Sequence, residues 1–225
     1  MTKRQDLINN LIITSLSIRN DKASVFYDHA FVNEHGFYGG VIDTASINLF
    51  EPGLSESNKL IVAINYPYQG LNKDTVLDCL VKTFSIMASK AMGVIISLDK
   101  YDVENCEYEN IREFLSELSE LSSVEKRITI EYSWIKSEEH LSKILSIVSS
   151  YDDIILVFSG FLLNPRDTKV LRETAKICKI SGFKTYEYFG ALPPKLSLTE
   201  TIFDMGYLRI GTPSSSISKI LNDKL

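Results

Sequence analysis

Apolar residues fall along this chain in short continuous runs, separated by longer segments with helical spacing. The runs are Leu11 to Thr14, Tyr38 to Asp43, Leu60 to Asn65, Gly93 to Leu98, Arg127 to Ser133, Asp153 to Phe158, Phe183 to Tyr188 and Leu208 to Ile210. Several lack the strict alternation of a half-exposed strand, which suits parallel strands covered on both faces. Between two of them, Asn72 to Ser89 sets Val76, Cys79, Leu80, Thr83, Phe84 and Met87 on one side of a helix. Helices are also expected over Thr2 to Asn10, Asp21 to Glu34, Glu109 to Leu121, Ser137 to Ser149, Pro165 to Lys179 and Ser197 to Met205. A last one is marked by Ile217, Ile220 and Leu221. Gly36 and Gly182 fit helix stops, and Pro165 fits a first helical turn. Ile47 to Glu51 is weakly defined, and the carboxylate-rich Asp99 to Glu109 reads as a solvated loop leading into a helix. Eight strand-type runs alternating with helices give an α/β protein. Eight units fit a closed (β/α)8 barrel of the TIM type, one domain over residues 1–225, with a doubly wound open sheet as the alternative.

Composition narrows the function classes. The 225 residues are 44% hydrophobic and 24% charged, an ordinary globular balance. Net charge is −5 and the basic residues are scattered, so no nucleic-acid footprint is present. No apolar run approaches a membrane span, and the polar start Met1 to Asp6 is not followed by a signal-type core. Cys79, Cys106 and Cys178 are far apart and form no C-x-x-C, which suggests reduced thiols and a cytoplasmic location. His29, His35 and His140 stand at no ligand spacing with Cys or Asp, so neither metal nor cofactor is expected. Motifs for a serine hydrolase, a dinucleotide fold and a P-loop are absent from the sequence.

The stretch Gly206 to Ser216 carries the clearest chemistry. A short strand runs into Gly211, then Thr212, Pro213, Ser214 and Ser215, and a helical pattern follows. Such a turn presents backbone N–H groups and hydroxyls to an anion. Gly211, Thr212, Ser214 and Ser215 are therefore candidate phosphate ligands, with simple helix capping by Ser214 or Ser215 as the plainer reading. Lys184 is a candidate nucleophile if it faces the barrel interior, and a solvated strand-start lysine otherwise. Alternation puts Lys184, Tyr186 and Tyr188 on one face and Glu187 on the other. Arg127, Thr129, Glu131 and Ser133 share a face, so an inward Arg127–Glu131 network is either a polar site or a structural ion pair. Asp43 and Glu131 end their strands on the functional side of a barrel.

Read in this order, the chain resembles the deoxyribose-phosphate aldolase family of class I aldolases. His35 to Asp43 is similar to that family's Gly-Phe and second strand, and Ile61 to Gly70 to its third strand and aromatic-Pro-x-Gly turn. Arg127 to Glu131 resembles strand five, Gly182-Phe183-Lys184 the start of strand seven, and Arg209 to Thr212 with the following serines the strand-eight phosphate motif. The resemblance implies a barrel that binds a small phosphorylated or anionic metabolite and acts as a lyase or related carbon–carbon bond enzyme. Catalytic candidates are then Lys184, Glu131 and Asp43, and ligand candidates are Gly211, Thr212, Ser214, Ser215 and Arg127. A homodimer is left open. The resemblance also implies departures. The family's strand-six Schiff-base lysine falls on Leu156, its strand-four aspartate on Ile95, and its strand-one Asp-His pair near Ile12 and Ile13. Its strand-seven lysine falls on Lys184 or, counted back from Gly211, on Tyr188. Standard aldolase activity is accordingly not expected, and a non-catalytic ligand- or partner-binding barrel is the alternative.

Overall fold

The computed structural model describes residues 3–14, 32, 34–44, 59–67, 70–87, 92–121, 124–160, 168–190, 196–213, 215–217 and 221. Eight parallel strands close into a barrel in sequential order. They are β1 (Leu11–Thr14), β2 (Gly39–Asp43), β3 (Lys59–Ile64), β4 (Met92–Ser97), β5 (Lys126–Glu131), β6 (Ile154–Ser159), β7 (Tyr186–Phe189) and β8 (Ile210–Thr212). The last pairs with the first through Leu11–Ile210, Ile12–Gly211 and Ile13–Thr212, which excludes the open sheet. The helices are α1 (Lys3–Asn9), α2 (Lys73–Met87), α3 (Lys100–Asn105), α4 (Tyr108–Leu121), α5 (Glu138–Val148), α6 (Thr168–Ile180) and α7 (Leu196–Asp204). The expected Asp21–Glu34 helix lies largely outside the described residues, as do Ile47 to Glu51, Pro165, Ser214 and Ile220. Its end is visible: Gly36 has φ 71° and its N–H donates to the Val32 carbonyl at 3.1 Å.

Continuous apolar strands arise because successive side chains serve two cores. Ile12, Val41, Ile61, Ile95, Val157 and Phe189 meet inside the barrel. Their neighbours Ile13, Ile42, Val62, Ile96, Leu156 and Tyr188 face outward into the layer shared with the helices. Helix α4 closes that layer with Ile111, Phe114, Leu115 and Leu118, the spacing of one helical stripe. Helix α5 starts where the Ser137 hydroxyl accepts from the His140 N–H at 3.1 Å.

Strand β5 stops at Glu131, short of the expected Ser133, where Tyr132–Trp134 forms a 3-10 turn, and three further boundaries differ from expectation for identifiable reasons. The Asp99 to Glu109 segment contains α3, because the Asp99 side chain accepts from the Tyr101 N–H at 2.7 Å and Val103 is fully buried beneath the turn. Strand β7 begins three residues late. Gly182 (φ 71°) and Phe183 close the end of α6, with the Phe183 N–H donating to the Cys178 carbonyl at 2.9 Å. Lys184 is thereby left in the connection. Strand β8 is shifted two residues toward the C-terminus, because Gly211 and Thr212 complete the ladder with β1 while Leu208 is exposed.

The N-terminal end of the barrel is closed by charge. Arg127 on β5 and Glu187 on β7 are both fully buried, with Nε–Oε2 at 2.8 Å and Nη2–Oε1 at 3.2 Å. Arg209 adds a second guanidinium to Glu187 at 2.7 Å, and Glu125 takes the Nη1 of Arg127 at 2.6 Å. The Arg209 guanidinium lies 3.7 Å from the Tyr38 ring centroid. Burial alone would lower the pKa of Arg127, but Glu187 and then Glu125 outweigh it and hold the group charged. Gly93 makes room: a Cβ there would lie 3.3 Å from Arg127 Nη1 and 3.0 Å from the Glu125 carbonyl oxygen. The expected partner of Arg127 was Glu131; the structure replaces it with Glu187, because four residues along β5 carry Glu131 to the opposite end of the barrel.

Removing one carboxylate should strand two guanidinium groups. Glu187→Gln is expected to cost about 3 kcal/mol or more, read as a lower urea midpoint. A combined Arg127→Met and Glu187→Leu variant should recover much of that loss.

Candidate functional site

At the C-terminal ends of the strands the interior changes from apolar to polar. Asp43 ends β2 half-buried, on the inward face with Val41. Ser97 and Thr129, both buried, join β4 to β5 through hydroxyls 2.8 Å apart. One residue pair further up, the Ser159 hydroxyl of β6 donates to Glu131 Oε1 of β5, matching their direct register. Burial raises the pKa of Glu131, and the Ser159 hydrogen bond offsets part of that rise. The result is a carboxyl group that holds its proton more tightly than a free glutamate.

Tyr66 enters this space from the turn after β3. Asn65 takes φ 56°, and its Oδ1 accepts from the N–H groups of Gly70 at 2.9 Å and Leu71 at 3.0 Å. That clasp turns the following tyrosine back into the barrel, where its ring meets Phe189 edge-on at 6.4 Å between centroids. Its hydroxyl is buried beside Ser159 and Glu131, and burial holds it strongly in the neutral form. Tyr188 lies on the outer face of β7 and reaches over the strand ends. A Cβ on Gly190 would come 2.4 Å from its hydroxyl, and one on Gly160 would come 2.9 Å from its ring. Burial raises the pKa of Tyr188 to about 12, with Glu131 adding to the rise.

Of the sequence candidates, Asp43, Glu131, Gly211, Thr212 and Ser215 stand at this end of the barrel. Gly211 has a packing reason to be glycine: a Cβ would lie 2.5 Å from Cγ of Phe189. Thr212 is buried, and the Pro213 carbonyl accepts from the Ser216 N–H at 2.9 Å, so a helical turn with exposed Ser215 follows the strand. Ser214 is outside the described residues. Two candidates are not brought in. Arg127 is consumed by the ion pairs at the N-terminal end. Lys184 is exposed on that same end, on the rim of a 590 Å³ groove with Ser146, Ser149 and Asp152. The inward residues of β7 are Glu187 and Phe189, so neither Lys184 nor Tyr188 reaches the interior. Among residues whose side chains are described, the barrel interior holds no lysine, and Lys126, though buried, pairs with Asp153 from the outward face of β5. Leu156 is likewise outward; on β6 the inward residues are Val157 and Ser159.

Ser159 and Tyr66 were not singled out by residue type. The available signals were a serine closing an otherwise apolar run and a tyrosine placed immediately between a strand and a proline.

The raised pKa of Glu131 carries a stability consequence with a definite sign. The fold favours the protonated form, so the penalty is present where the group is ionised and disappears as pH falls below the unfolded value of about 4.3. Glu131→Gln should therefore unfold at higher urea than the wild type at pH 7, with the gain shrinking toward pH 4. For Gly211, the Ala substitution should destabilise, and a Phe189→Leu background should relieve part of the effect in a double-mutant cycle.

Comparison with known proteins supports the architecture. No family model matches the chain, and no curated protein matches it at significance. Among solved structures it is similar to an aldolase named QR15, with a TM-score of 0.79, 17% identity, and 96% of this chain and 95% of that one covered. It is also similar to a protein of Coccidioides immitis provisionally described as a deoxyribose-phosphate aldolase (TM-score 0.80, 10% identity, covering 98% and 86%). The tetrameric deoxyribose phosphate aldolase of Aeropyrum pernix aligns with a TM-score of 0.71 at 15% identity, covering 97% and 90%. Likeness at such low identity speaks for the fold alone, a (β/α)8 barrel similar to those of these aldolases.

Proposed function

We propose that this chain is a divergent aldolase-like barrel that binds a small phosphorylated or otherwise anionic compound across its C-terminal mouth. Its chemistry would be that of a lyase or a related carbon–carbon bond enzyme. The observation that carries the reading is the Glu131–Ser159 pair, a partly buried carboxyl with raised proton affinity at the functional end of two adjacent strands. Thr212 and the turn bearing Ser215 would hold the anionic end of the ligand. They lie at β8, across the barrel from β5, so the anion and the carboxyl would sit at opposite ends of a small molecule. Asp43 would contribute a second polar contact on the inward face of β2.

The chemistry would not be the usual imine route. An imine needs an amine, and the strand-six run Ile154–Ser159 contains none. Leu156, to which the resemblance assigned that role, packs outside the barrel. Lys184 is the remaining lysine the resemblance offers, and it is exposed at the far end. The second reading, a non-catalytic binding barrel, is favoured by the apolar filling of Ile12, Ile61, Ile95 and Val157 where polar groups would be needed. A homo-oligomer and a cytoplasmic location complete the proposal; among the described residues no helix is long and apolar enough to cross a membrane.

Two experiments test it. Titration calorimetry with inorganic phosphate and with deoxyribose 5-phosphate should show binding that Ser215→Asp weakens about tenfold by like-charge repulsion; unchanged affinity would make the turn a helix start only. Borohydride treatment with deoxyribose 5-phosphate, followed by intact mass, should leave the chain unmodified. A stable adduct that survives Lys184→Ala would show that another lysine forms the imine.

A further inference from the structure

We infer that Tyr66 is a catalytic hydrogen-bond donor to the carbonyl oxygen of the ligand, and that with Glu131 as base the site enolises small phosphorylated carbonyl compounds directly, without an imine. This rests on the proposed reading of the mouth as a ligand site and deepens it.

Three placements converge. Glu131 and Ser159 face each other in register at the ends of β5 and β6, and the Ser159 O–H donates to the carboxylate. Tyr66 is carried into the same space by the Asn65 clasp, two strands away, and its ring is fixed edge-on against Phe189. Phe189 is in turn fixed over Gly211, which leaves it no room to retreat. Ser159 and Glu131 both act on the Tyr66 hydroxyl, and Ser159 pairs in register with the Phe189 against which the tyrosine ring rests, so the three polar groups share one neighbourhood. The arrangement brings a neutral O–H donor and a carboxylate to one end of the barrel, the two groups that proton abstraction beside a carbonyl requires.

The reaction balances with these groups alone. Glu131 takes a proton from the carbon next to the carbonyl, and that C–H bond breaks. Its electron pair forms the carbon–carbon double bond, while the carbonyl π pair moves to oxygen. The resulting enolate oxygen is held by the Tyr66 O–H. Return of a proton from Glu131 regenerates the carbonyl compound, and in heavy water a deuteron is returned instead. Tyrosine burial suits the role, because a hydroxyl held neutral donates a hydrogen bond to the enolate and does not surrender its proton. Ser159 acts through Glu131 and is a positioning residue.

The test is hydrogen–deuterium exchange of dihydroxyacetone phosphate in D2O, followed by proton NMR, with unphosphorylated dihydroxyacetone in parallel. The wild type should exchange the phosphorylated compound faster than buffer and the unphosphorylated one more slowly. Tyr66→Phe should lower the exchange rate at least tenfold while phosphate affinity and circular dichroism are retained. Ser159→Ala should move the pH of half-maximal exchange upward, since the carboxylate loses its donor; a purely structural serine would change the rate without moving that pH. Absence of wild-type exchange with phosphate still bound would overturn this inference and leave the binding site standing. Absence of both would remove the two together. Exchange undiminished in Tyr66→Phe, or exchange accompanied by a borohydride-trapped adduct, would also overturn it.

Discussion

The ion pair between Arg127 and Glu187 sets the facing of half the barrel. Neither residue is exposed, and the only place where each meets the other is the interior. Because side chains alternate along a strand, an inward Arg127 obliges Thr129 and Glu131 to point inward as well. An inward Glu187 does the same for Phe189. Arg209 joins the same carboxylate, and two residues on, Gly211 must then face the interior, where Phe189 needs its missing side chain. A one-residue slip of β5 would expel the guanidinium and bring Lys126 inside, away from Asp153. The plug at one end therefore determines which groups stand at the other.

That coupling explains the uneven polarity of the mouth. Strands β4, β5 and β6 send hydroxyl and carboxyl groups inward near their ends and β2 adds Asp43, while β1, β3 and β7 contribute Ile12, Ala63 and Phe189. A ligand with one polar reacting end would lie against β5 and β6, with apolar walls excluding water from the remaining sides. Excluding water strengthens each electrostatic contact that remains, which gives a single carboxyl–serine–tyrosine group more chemical weight than it would have on an open surface.

The order of strands and helices was legible from the sequence because parallel barrel strands are buried on both sides and so read as apolar runs. The interior could not be read as well. Arg127 was visible as an inward charge, but its partner depended on which residue of β7 faced it. That is a matter of register between distant segments, decided by a 60-residue separation. Lys184 was misplaced because Gly182 and Phe183 belong to the end of α6, an arrangement of backbone hydrogen bonds that residue types alone do not reveal. The positions of Asp43 and Glu131 at the ends of β2 and β5 were legible because a polar residue closing an apolar strand is a local signal. Tyr66 needed the Asn65 clasp, whose partners lie up to six residues away around the turn.

The same facts bear on how far the aldolase likeness reaches. A shared barrel fixes where a reaction can occur, at the strand ends, and leaves the reacting groups to individual side chains. In this chain β6 offers a serine near the site and no amine, while the buried lysine of β5 is turned outward and neutralised by Asp153. A carboxyl held half-buried beside a serine works against stability when ionised. A glutamine at 131 could keep a polar contact with Ser159 without the charge. On the proposed reading the acid serves proton transfer, a role that does not depend on whether the ligand is a sugar phosphate.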